Sequence, residues 1–208
     1  MNYLRLYKES LRLEKYARGK EFLNVIGDLL MKKEVADMMF LRHHMRVNRF
    51  QHLLSVSYLS YIKAKRRGLK YDDTARAAML HDLFYYDYKD RDNYPRKHNK
   101  VHPMLALSNA QKVMALTDTE IDIISSHMWP LFGNKPKTKE GLIVCRMDKV
   151  CSVLECIYSV FSGSKRIRRR DGQINGGTTA CKSDTYGCKN EYTEESKKNA
   201  GIEGDKNP

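Results

Sequence analysis

Apolar residues recur at three- and four-residue steps along most of the first 161 positions. Nowhere do they alternate over a useful length. Tyr3, Leu4, Tyr7 and Leu11 predict a helix over 1–19, with Gly19 as its end. Phe22, Val25, Ile26, Leu29 and Leu30 predict a second over 21–31, and Val35, Met38, Met39 and Leu41 a third over 34–41. A basic, histidine-bearing link, 42–49, follows. Residues 50–67 form a strong amphipathic pattern through Leu53, Leu54, Tyr58 and Tyr61, and Gly68 stands where a helix would stop. Tyr71-Asp72-Asp73-Thr74 offers N-cap residues for a helix carrying His81 and Asp82. Positions 87–100 are polar, charged and contain Pro95, which predicts a loop. Pro103 suits the first turn of a helix running to about Leu116. Thr117-Asp118-Thr119-Glu120 has the form of a capping box for a helix through Ile121, Ile124 and His127, ended by Trp129-Pro130. After a basic, turn-rich stretch at 133–141, a long helix is expected over 142–161. The pattern gives an all-α fold without internal repeats.

The character changes after Phe161. From 162 to 208 there is no Leu, Val, Phe, Met or Trp, and Gly, Ser, Thr, Asn, Lys and Glu dominate. Such a segment buries too little apolar area to offset its ordering entropy, so a disordered tail is expected. It opens on the basic run Lys165-Arg166-Ile167-Arg168-Arg169-Arg170. The division expected is therefore 1–161, a helical domain, and 162–208, a polar, basic tail.

Composition narrows the class. The 208 residues are 41% hydrophobic and carry a formal net charge of +13, which suits anionic partners such as phosphate esters, nucleic acid or a membrane surface. The N-terminus lacks the apolar run of a signal peptide. The most apolar stretch, 142–161, is interrupted by Arg146, Asp148, Lys149 and Glu155, which argues against a membrane span. Five cysteines, an odd number without C-x-x-C spacing, fit reduced thiols and a cytoplasmic setting.

Several polar groups stand in apolar surroundings. His81 and Asp82 follow Ala75-Arg76-Ala77-Ala78-Met79-Leu80 and precede Leu83-Phe84-Tyr85-Tyr86. A carboxylate there must be paired or bound to a metal, because an isolated buried charge is costly. His52 lies near the start of one apolar helix, Asp148 lies inside another, and His102 and His127 each stand by a helix end. Taken singly, each could be a structural histidine or an ordinary ion pair. In this order, separate helices would each bring one metal-capable group to a shared core.

The series His52, His81-Asp82, Asp148 on an all-α chain resembles the HD-domain metal-dependent phosphohydrolase superfamily. Arg49-Phe50-Gln51-His52 with Val56 resembles its first motif, Ala78-Met79-Leu80-His81-Asp82 its second and Arg146-Met147-Asp148-Lys149-Val150 its last. His102-Pro103 and Ser126-His127 fall where two-metal members carry extra histidines, and the small bacterial diadenosine-tetraphosphatase-like members form the nearest branch. The resemblance spans 49–150. It implies a helical bundle in which His52, His81, Asp82 and Asp148 hold one divalent ion and Asp82 bridges to a second held by His102 and His127. Fe, Mn, Co, Ni and Zn suit these ligands, with Mg a further option. It also implies a metal-bound hydroxide attacking a small phosphorylated substrate, a nucleotide foremost, with Asp82, Arg49 and Lys149 in the reaction. Arg46 and Lys100 are further cations beside expected ligands.

Two features set the chain apart from that pattern. Leu83-Phe84-Tyr85-Tyr86 stands where many relatives carry a small residue and a lysine, and there is no Gly-Tyr-Pro signature of the cyclic-dinucleotide branch. Loss of the lysine leaves a second reading open, a non-catalytic nucleotide-binding or regulatory module. Nucleic-acid binding through the basic tail ranks third, because no recognition motif accompanies the charge. Arg42, His43 and His44 could add to the site, but they read as a solvated link before the motif helix.

Overall fold

The computed structural model describes residues 1–43, 47–86, 95 and 97–170, with side chains as far as Val160. Among the described residues are eight α-helices and no strand. The helices are α1 Tyr3–Ser10, α2 Ala17–Leu30, α3 Lys33–Ala36, α4 Arg49–Lys65, α5 Tyr71–Leu80, α6 His98–Val113, α7 Asp118–Ser126 and α8 Lys139–Arg170, with 3-10 turns at Leu13–Lys15 and Asp37–Met39. The fold is all-α, as the periodicity predicts. Met1–Val160 forms one compact unit, and the chain from Phe161 onward belongs to another. None of the described helices is long and apolar enough to cross a membrane.

The core is built around α4. Asn48 caps its start by accepting the Gln51 N–H at 2.8 Å. Gly68 follows its end at φ +63°, a left-handed conformation that favours glycine. Leu53, Val56, Tyr58, Leu59 and Tyr61 are all fully buried, so α4 has no broad solvent face. It packs most extensively on α5, where small residues allow close approach and Ser57 Oγ donates to the Ala75 carbonyl at 2.6 Å. α7 packs on α5 and α6. The N-terminal helices belong to the same core: Phe22 meets Tyr58 edge-on at 5.3 Å, and Ile26, Leu29, Val35 and Met38 are fully buried. Each such side chain contributes roughly 1.5–3 kcal/mol.

The structure departs from the sequence expectations at helix ends. The expected helix over 1–19 is interrupted, because α1 ends at Ser10 and α2 begins at Ala17. Gly19 therefore lies in the first turn of α2, where a Cβ would sit 2.1 Å from the Leu13 carbonyl oxygen. Its role is close backbone approach rather than helix termination. The third helix is a single turn, α3, continued by the 3-10 turn Asp37–Met39. α5 starts at Tyr71 without a side-chain cap, so Asp72 and Asp73 act through the helix dipole in its first turn. α6 starts at His98, which places Pro103 inside the helix rather than in its first turn. The capping box at Thr117 and Glu120 forms as expected. α8 runs nine residues past 161, to Arg170. Lys and Arg are good helix formers, and cations suit a helix C-terminus. Residues 44–46, 87–94, 96 and 171–208 lie outside the described residues, and with them His44, Arg46, most of the expected 87–100 loop, Cys181 and Cys188.

Candidate metal centre

Three histidines are oriented by one local device. His81 and His127 occupy the C-cap positions of α5 and α7. The last carbonyls of a helix have no intrahelical donor. His81 Nδ1 lies 2.8 Å from the Ala78 carbonyl and His127 Nδ1 2.8 Å from the Ile124 carbonyl, three residues back in each case. Within α6, His102 Nδ1 lies 3.0 Å from the His98 carbonyl. A carbonyl only accepts, so each Nδ1 carries the proton. Each Nε2 is thereby left as a lone pair aimed inward.

The carboxylates stand where those lone pairs converge. Asp82 follows His81 directly, and its two oxygens face different partners. Oδ1 lies 3.2 Å from His102 Nε2 and 3.3 Å from His127 Nε2, while Oδ2 lies 3.9 Å from His81 Nε2. Asp148 Oδ1 lies 3.2 Å from His52 Nε2 and 3.8 Å from His81 Nε2. All six expected ligands, from five separate helices and their ends, thus meet in one cluster. Among these six residues, two sets of ligand atoms lie close enough to share an ion: His52, His81 and Asp148, and His81, Asp82 and His127. His102 adjoins the second set.

The electrostatics favour cations. Burial raises the pKa of Asp82, but His81 and His102 outweigh it and hold the carboxyl well below its usual range. Burial likewise opposes ionisation of Asp148, and the neighbouring His52 and His81 imidazoles reverse that effect. For His52 burial lowers the pKa, yet Glu155 and Asp148 raise it to about 10. Burial pushes His127 down, while Asp82 overcomes burial to bring His102 up. The C-termini of α5 and α7 add partial negative charge at His81 and His127. His81 Nε2 and Asp82 Oδ1 are buried without a hydrogen-bond partner. Imidazoles, carboxylates and two orphaned ligand atoms, with no thiolate, fit a divalent transition metal.

The expected cations divide. Lys149 reaches the cluster: its Nζ donates to the His127 carbonyl at 2.6 Å and lies 3.2 Å from Asp148 Oδ2. Arg49 is buried, and its guanidinium donates to the Phe84 carbonyl and, at 3.1 Å, to the Tyr86 carbonyl, 3.7 Å above the Phe84 ring. It clamps the segment after Asp82. Lys100 is exposed on α6 and lines a cavity of about 700 Å³ with Lys135 and Lys137, whose wall includes none of the six expected ligands. Arg46 lies outside the described residues.

Two residues at the centre escape the sequence reading. Glu155 is fully buried with its oxygens 3.0 and 3.1 Å from His52 Nδ1. The signal was available: it lies seven residues after Asp148, on the same face of a helix. His43 is half-buried, stacks on His52 at 3.7 Å and can share an ion with His52 and Asp82. It is not the solvated link residue expected. No periodicity marks it, because backbone pairing places it, the His43 N–H donating to the Val47 carbonyl beside the bridge of Arg42 with Asn48.

A scan against protein-family models matches the HD domain over residues 49–152. No curated protein and no solved structure matches the chain.

Proposed function

The chain belongs to the HD-domain family, whose members are typically metal-dependent hydrolases, and from that premise we propose that it hydrolyses a phosphate ester or anhydride of a nucleotide or similar small phosphorylated substrate. The observation that carries this reading is the division of Asp82, whose Oδ1 faces His102 and His127 while Oδ2 faces His81. A carboxylate so placed can serve two adjacent ion positions.

In this reading His52, His81, Asp82 and Asp148 hold one divalent ion, and Asp82, His102 and His127 hold a second. When bound, such ions acidify a water and polarise a phosphoryl oxygen. The chain's own groups do the rest. Carbonyls on Nδ1 keep His81, His102 and His127 in the liganding tautomer. Lys149 Nζ, partly exposed at the edge of the cluster, sets a positive charge where negative charge grows on the substrate. Arg49 acts at one remove, by fixing Leu83 to Tyr86 and with them the backbone of Asp82. Residues 1–161 form the catalytic unit, since the buried core runs from Leu6 to Cys151.

The commitment of Arg49 to carbonyls, together with the lysine missing after Asp82, favours a second reading: a module that binds nucleotide without turning it over. One experiment separates the two. The protein is loaded in turn with Mn, Fe, Co, Ni or Zn and incubated with nucleotides, dinucleoside polyphosphates and phosphomonoesters. Hydrolysis is expected with at least one pairing, and Asp82→Asn should lower it by at least about 10²-fold. Nucleotide binding without phosphate release under any metal supports the module instead.

A further inference from the structure

The four imidazoles of the centre are not backed alike. Behind His81, His102 and His127 stand the neutral carbonyls of Ala78, His98 and Ile124. Behind His52 stands the carboxylate of Glu155, with both oxygens within 3.1 Å of Nδ1. Glu155 is fully buried and lies three residues beyond the matched family region. It is a feature of this chain rather than of the matched pattern.

We propose that Glu155 is a positioning residue that makes the two ion positions unequal, so that the position formed by His52, His81 and Asp148 fills first and the one formed by Asp82, His102 and His127 fills second. The inference rests on the metal-binding part of the proposed function.

Two effects act in the same direction. An anion on Nδ1 fixes the ring and makes Nε2 a stronger donor than a carbonyl does. A buried carboxylate one imidazole away also attracts a cation directly, in surroundings that screen it little. The first position thus has Asp148 as ligand and Glu155 behind it, with Asp82 nearby. The second has Asp82 and imidazoles backed by neutral groups. Lys149 opposes the order by lying 3.2 Å from Asp148 Oδ2, but it is partly exposed and weakened by solvent.

Titration of the metal-stripped full-length protein with Mn²⁺, followed by calorimetry, tests the order. Two separable steps are expected. Glu155→Gln preserves shape and an acceptor on Nδ1 and should weaken the tighter step about 10–100-fold while leaving the weaker one unchanged. His102→Ala should remove the weaker step and spare the tighter one, a result that does not depend on Glu155→Gln folding. A purely structural role for Glu155 would lower the melting temperature of the metal-free protein without moving one step selectively. Equal steps in the wild type, an unchanged tight step in Glu155→Gln, equal weakening of both, or loss of the tight step in His102→Ala would each overturn the order while leaving the hydrolase reading intact. A wild type that binds no Mn²⁺ would instead remove that reading, and the order with it.

Discussion

Nε2 of His102 lies 2.8 Å from Nε2 of His127, although each ring already spends its proton on a backbone carbonyl through Nδ1. Two lone pairs at that distance repel unless something positive lies between or beside them. Without a metal, one proton serves the pair. Burial lowers the pKa of both rings, but Asp82 brings that of His102 above its ordinary value while His127 stays below its own. A divalent ion next to Asp82 Oδ1 satisfies both rings at once.

Metal loading should therefore stabilise the fold. At a free-ion concentration about 100 times Kd the gain is about 2.7 kcal/mol, or several degrees of melting temperature for a unit of this size. A melt in chelator against one in Mn²⁺ measures it. His127→Ala should retain only part of the shift; a full shift in that variant would place the ion elsewhere.

Arg49→Lys should destabilise the protein by about 2 kcal/mol, the scale of a charged hydrogen bond lost. The guanidinium reaches two carbonyls, of Phe84 and Tyr86, and stacks on the Phe84 ring. An ammonium cannot span both while lying flat on the ring. Denaturant titration gives the cost, and hydrolysis should fall as well, since the clamped segment begins one residue after Asp82. Unchanged stability with lost activity would mean that Arg49 contacts substrate directly.

The candidate ligand set was legible in the sequence in two ways. His52, His81, Asp82 and Asp148 are polar groups in apolar surroundings, whereas His102 and His127 stand by helix ends and join the set through the family resemblance. The orienting device was not legible. That His81 and His127 sit at C-caps depends on where α5 and α7 end, and helix ends are what periodicity fixes least. Glu155 was visible only as a charge interrupting an apolar stretch, and its partner is 103 residues away. Arg49 could be placed beside a ligand, but not turned toward Phe84, since nothing local to either residue links them. His43 reaches His52 through a fold-back of the link that leaves no repeat in the sequence.

The N-terminal helices carry a charge network that makes stability depend on pH. Glu9 is buried and accepts from Arg18, from Arg5 at 3.2 Å and from the Tyr58 hydroxyl at 3.1 Å. Burial raises its pKa, but the bond from Arg18 and then that from Tyr58 lower it below the ordinary 4.5. A lowered folded-state pKa contributes stability that is complete above the unfolded value and lost as pH falls through the folded one. Glu9→Gln should thus cost about 1–2 kcal/mol at pH 7, the difference between a charged and a neutral acceptor. The gap to wild type should close on acidification below about pH 4. Urea titrations at pH 7 and pH 3 read both, and a gap that does not narrow at the lower pH would rule out the Glu9 charge as its source.

The same substitution at two glycines of α2 should act in opposite directions. In an ordinary helix interior Gly→Ala stabilises by about 0.5–1 kcal/mol, because alanine has less backbone freedom to lose. Gly27 fits that case, since a Cβ there meets nothing within 4 Å. Gly19 does not. A Cβ there would lie 2.1 Å from the Leu13 carbonyl oxygen and 2.8 Å from its carbon, which are backbone atoms of the preceding 3-10 turn and cannot step aside as a side chain could. Relieving that overlap means separating α2 from the turn, at about 1–3 kcal/mol for overpacking of this kind. The helix-propensity gain is too small to offset it. Thermal melts of Gly19→Ala and Gly27→Ala against wild type should therefore bracket it, with the first below and the second above. A rise in melting temperature for Gly19→Ala would show that the turn at Leu13 gives way more easily than its buried contacts imply.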